Sequence, residues 1–175
     1  MSVVNTSDYS ITVKNSSSAS FTLFHAAEAG GDVKTTSRPS NELAPGGETC
    51  HAWDSRAGQV SSETCVGHLF YSPSAAPGTP ARVWGVQMNG YTPSGGRPKT
   101  FYQYADAVNP YNKGEPGPPF WLESGKDWGE SYCFVIPAQS HTGRVKITVA
   151  NDPHDNLYNE TGKPLYSVVV LLEDF

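Results

Sequence analysis

Val145-Lys146-Ile147-Thr148-Val149 alternates one apolar with one polar residue, and three of its five members are β-branched apolar side chains. Side chains of an extended chain point to opposite faces in turn, so this spacing buries one face and wets the other. An α-helix would need the apolar residues three and four apart. The segment is therefore predicted to be a half-buried β-strand.

The same period recurs outward from it. Ile11 and Val13 alternate with Thr12 and Lys14, and Phe21 and Leu23 follow a serine cluster. Glu48 to Trp53, Val60 to Tyr71, Arg82 to Met88, Thr100 to Tyr104 and Tyr132 to Ile136 continue the pattern. Leu165 to Leu172 is nearly all apolar, which predicts a strand covered on both sides. Between these runs lie Ala44-Pro45-Gly46-Gly47, the stretch from Ser72 to Pro80, Thr92 to Gly96 and Gly114 to Pro119. Their Pro and Gly content marks each as a turn or loop. Ala26 to Gly30 reads as a short helical turn stopped by Gly30-Gly31, and nowhere does an amphipathic helical stripe of twelve residues appear. Many short strands between frequent turns predict one all-β domain over residues 1–175, an antiparallel two-sheet β-sandwich with long aromatic-rich loops.

The totals agree. At 175 residues the chain can bury a core without metal or disulfide support. Its 17 Gly and 14 Pro favour turns. Charged residues make up 17%, against about 25% in an average domain. The net charge is −5, and the 12 Lys and Arg are scattered singly. Nucleic acid, which needs a basic face, is excluded as a partner on that ground. No run approaches the ~20 apolar residues of a membrane span. The N-terminal residues show neither a basic nor an apolar leader segment, so a cytoplasmic or non-classically secreted location is expected. Cys50, Cys65 and Cys133 are odd in number, which favours thiols, with a Cys50–Cys65 bridge as the alternative.

Function is written more faintly. Residues 101 to 132 hold eight aromatic residues, among them Tyr102, Tyr104, Trp121 and Trp128, interleaved with Asn112, Asp127 and other polar groups. A long loop of this composition is held by its own packing or by function. Indole and phenol faces stack on sugar rings while Asn and Asp bind hydroxyls, and the same faces attract a quaternary ammonium. Exposed rings of this kind also suit a membrane interface. The alternative is that they cap the sandwich and pin the loop.

Cys50-His51 and Cys65 to His68 invite a zinc reading, but neighbours one or three apart on a strand face opposite ways. No metal and no cofactor are expected. The motifs G-x-S-x-G and H-E-x-x-H and a phosphate-cradling glycine loop are missing from the sequence. A small enzyme would have to use His68 or Glu123 in a sandwich cavity, recognisable as an enclosed pocket with an ionisable group of shifted pKa.

Part of the chain resembles a known family. Ile11 to Asn15, Leu43 to Gly47, Gly58 to Val60, Val66 to Tyr71 and Val83 to Tyr91 are similar in order to the strands of actinoporin-like proteins, whose sandwich the fungal fruit-body lectins share. The likeness covers about half the chain. It implies recognition of a glycan or a phosphocholine headgroup at an aromatic-lined site, carried here by Tyr91, Tyr102 and Tyr104. The chain departs from actinoporins at its N-terminus, where residues 1–9 are too few and too polar for their inserting helix, and at Gly85 and Gln87 in the site-forming strand. The expectation is a non-enzymatic, lectin-like module that binds a glycan or lipid headgroup through Tyr91, Tyr102, Tyr104, Asn112, Trp121, Asp127 and Trp128. A membrane-active, cytolysin-like protein is the first alternative, and the small enzyme the second.

Overall fold

The computed structural model describes residues 7, 9–29, 33–55, 65–73, 82–90, 99–106, 123–126, 132–137, 144–151 and 166–175. All the regular structure among them is β. In chain order the strands are β1 (Tyr9–Asn15), β2 (Phe21–Ala29), β3 (Val33–Ser37), β4 (Glu42–Leu43), β5 (Glu48–Ser55) and β6 (Cys65–Pro73). They continue as β7 (Arg82–Gly90), β8 (Lys99–Asp106), β9 (Glu123–Lys126), β10 (Tyr132–Pro137), β11 (Arg144–Asn151) and β12 (Tyr166–Asp174). Sheet A has the order β10-β11-β12-β1-β5-β3, and sheet B has β4-β2-β6-β7-β8-β9. The two-sheet β-sandwich expected from the sequence is present.

Four details differ from expectation. The first and last strands, β1 and β12, pair in parallel over seven positions, Tyr9 with Tyr166 through Asn15 with Leu172. Every other strand pair is antiparallel, so the sandwich is not purely so. Ala26 to Ala29 continue β2 instead of turning as a helix, because pairing with β6 satisfies their backbone. Strand β12 encloses only one face: Val168, Val170 and Leu172 are buried, whereas Val169 and Leu171 are half-buried on the other. β3, β4 and β9 are short strands that the apolar period did not reveal, since Val33 to Ser37 holds one large apolar residue and Glu42-Leu43 is only two residues long.

The core is what alternation predicts. Ile11 and Val13, Val145, Ile147 and Val149, and Val168, Val170 and Leu172 turn inward from sheet A. Phe21, Leu69, Tyr71, Trp84 and Val86 meet them from sheet B. Trp53 crosses the gap, and a Cβ on Gly67 of β6 would overlap its indole ring. That glycine is required by the approach of the other sheet. Since Gly67, Leu69 and Tyr71 face inward, His68 and Phe70 point to the outer face of sheet B, where Phe70 lies across Gly85.

A buried amide locks one end. Asn15 donates from Nδ2 to the carbonyls of Ala19 at 2.7 Å and Ala44 at 3.1 Å, while Ser17 Oγ donates to Asn15 Oδ1 at 2.6 Å. The turn after β1 is thereby tied to the turn after β4, and buried polar groups in both find partners.

Candidate functional site

A half-open cavity of about 170 Å³ lies where β2 of sheet B faces β3 and β5 of sheet A. Alternation along β2 turns Leu23, Ala26 and Glu28 toward it, with a bulge between Leu23 and His25 absorbing the change of phase. Thr35 enters from β3, paired with Trp53, and His51 from β5, paired with Ile11. The remaining wall is the segment 38–41, which carries the chain from sheet A to sheet B and supplies Arg38, Pro39 and Asn41.

That wall is held in place. Leu23 N donates to the Asn41 carbonyl at 2.7 Å, Tyr71 Oη donates to the Ser40 carbonyl at 2.7 Å, and Ser40 N donates to Thr49 Oγ1 at 2.7 Å. Three anchors on three strands fix a four-residue connection, so its pocket is formed before any ligand arrives.

Inside, Thr35 Oγ1 donates to Glu28 Oε1 at 2.7 Å, and His51 Nε2 lies 3.6 Å from the same oxygen. His51 is 2% exposed and packs beside Trp53, with ring centroids 5.0 Å apart. Burial pushes its pKa down, outweighing the Glu28 carboxylate and the nearby carbonyls of Ala27 and Ser37, which pull the other way. The imidazole is therefore neutral near pH 7, and its contact with Glu28 is not an ion pair. Neither ring nitrogen makes a hydrogen bond of good geometry.

Two further histidines sit on the opposite face of sheet B. His25 Nδ1 and His68 Nε2 are 2.9 Å apart, with rings stacked at 5.1 Å. Burial, followed by the charges of His25 and His51, pushes the His68 pKa down to about 3. Among the described residues no group of three or more His, Cys, Asp or Glu is placed to hold a metal ion. Cys50 carries a thiol, not a disulfide, and accepts a hydrogen bond from Thr12 Oγ1 at 3.6 Å.

The residues singled out in the sequence are distributed differently. Tyr91, Asn112, Trp121, Asp127 and Trp128 lie outside the described residues. Tyr102 and Tyr104 are on β8, in register with Val86 and Trp84 of β7. β8 is three strands from β2 in sheet B, roughly 14 Å at the usual strand spacing. Glu28, Arg38 and Asn41 escaped sequence reading. Glu28 lay in the stretch read as a helical turn, and Arg38 and Asn41 in an unremarkable connection. The available signal was His51, an imidazole at an inward position of a period-2 strand between Thr49 and Trp53.

The chain matches no protein-family model and no curated protein.

Proposed function

We propose that the protein is a non-enzymatic, lectin-like binding module that recognises a glycan or a lipid headgroup. The observation carrying this reading is the preformed cavity between β2, β3 and segment 38–41, whose walls combine apolar Leu23, Ala26 and Pro39 with polar Glu28, Thr35, Arg38 and Asn41. Convergent polar groups on a rigid frame are what orient a small ligand. On their chemistry, Tyr91, Trp121 and Trp128 would supply stacking faces in this reading and Asn112 and Asp127 polar partners. Tyr102 and Tyr104 of β8 complete the set of aromatic residues in this reading.

Catalysis is less well supported. A nucleophilic triad needs the imidazole between hydroxyl and carboxylate. Here the Glu28 carboxylate lies between Thr35 and His51. His68 has the strongly shifted pKa that an enzyme site would show, but it faces away from the cavity. Membrane insertion is also less well supported: among the described residues, only Phe24 and Phe175 are exposed large hydrophobics, too isolated for an inserting patch.

The test is an array of glycans and lipid vesicles probed with the whole chain, followed by titration with tryptophan fluorescence as the readout. Retention of a glycan or headgroup, weakened by Trp121→Ala with Trp128→Ala while the fold stays intact, is the expected result. A chain that retains neither class overturns the proposal.

A further inference from the structure

We propose that the cavity at the β2–β3–β5 mouth is a subsite for one uncharged, polyhydroxylated ring, with Glu28, Arg38 and Asn41 as its hydrogen-bonding groups. This inference rests on the binding-module reading and narrows it from two ligand classes to one.

Size sets the first limit. A cavity of about 170 Å³ far exceeds what one water needs yet falls below the ~300 Å³ of pockets for drug-sized ligands, so it suits a single ring. Wall chemistry sets the second. A sugar-like ring presents C–H patches and hydroxyls together, and the cavity offers Leu23, Ala26 and Pro39 for the former. For the latter it offers a pure acceptor in Glu28, a pure donor in Arg38, and groups of both kinds in Asn41. Only a ligand whose polar groups both donate and accept satisfies that mixture.

Charge decides against the other candidates. The Arg38 guanidinium and Glu28 carboxylate balance, so a phosphate drawn to the arginine meets a carboxylate across the same small space. Among the described residues, none that lines the cavity is Phe, Tyr or Trp, so these walls offer a quaternary ammonium no aromatic cage.

The floor adds a second observation. His51 is 2% exposed and lines it with its ring, while the Glu28 carboxylate 3.6 Å from its Nε2 and the carbonyls of Ala27 and Ser37 close off both nitrogens. A ligand hydroxyl would donate to the Glu28 carboxylate and leave the imidazole as a flat wall. The Thr35 bond already holds that carboxylate in position.

The experiment uses the whole chain and methyl glycosides of galactose, glucose, mannose and N-acetylglucosamine, with phosphocholine and inorganic phosphate alongside. Calorimetry gives affinities, and the His51 ring resonances report occupancy. At least one glycoside should bind and move the His51 signals, and Glu28→Gln and the exposed-site variant Arg38→Ala should each weaken it about tenfold or more, as expected for loss of a hydrogen bond to a charged group. Thermal unfolding confirms that both variants fold. A glycoside that binds the parent and both variants equally overturns the subsite while leaving the binding module standing. Phosphocholine or phosphate binding without any glycoside does the same. If the chain binds no glycoside, headgroup or vesicle, both readings fall.

Discussion

Acidification should destabilise this sandwich through His68. The ring is 3% exposed on the outer face of sheet B, stacked on His25 and near His51, and its pKa is pushed down to about 3. In the unfolded chain the same imidazole titrates near 6.5. Between those values the unfolded state binds a proton that the native state refuses. Stability is therefore fully present above about pH 6.5, falls as pH drops, and levels off below about 3. The slope approaches 1.36 kcal/mol per pH unit for a single site, so moving from pH 7 to pH 5 should remove about 2 kcal/mol. Burial lowers His25 and His51 as well, and both add in the same direction. Urea denaturation of the parent and of His68→Gln at pH 7, 6 and 5 measures the difference. The parent should lose about 2 kcal/mol more than the variant over that range. Equal losses, or a His68 resonance titrating near 6.5 in the folded protein, would falsify the assignment of a buried neutral ring.

Three other substitutions follow from the packing. Gly67→Ala drives a methyl into the buried Trp53 indole and should destabilise by at least the ~1–3 kcal/mol of an overpacked core, seen as a lower urea midpoint. Asn15→Ala strips the buried Ala19 carbonyl of the Nδ2 donor and leaves Ser17 Oγ without its acceptor, and should lower stability by about 1–3 kcal/mol in the same assay. Tyr71→Phe removes the bond to the Ser40 carbonyl, costs about 1 kcal/mol, and should speed amide exchange at Ser40 and Asn41, since that anchor holds the cavity wall.

The candidate site was only partly legible. An inward imidazole at position 51 follows from the alternation of Thr49, His51 and Trp53, and the structure places it inside. Its partners do not follow. Glu28 and Arg38 are ten residues apart on either side of a strand change, and they line one cavity only because residues 38–41 cross from one sheet to the other. The aromatic density between 101 and 132 stood out because composition is visible without a fold, whereas the cavity is lined by residues that no local pattern singles out.

The amino-acid order alone determined the β character, the inward residues of the long strands and the turns between them. Those are local consequences of side-chain alternation and of what Gly and Pro do to a backbone. Tertiary pairing decided the rest: the parallel seam between β1 and β12, the short strands β3, β4 and β9, and the meeting of Glu28, Thr35, Arg38 and His51. A period of two says which face a residue occupies but carries no information about the direction, identity or distance of the neighbouring strand. Those are settled only when both sheets close over a common core.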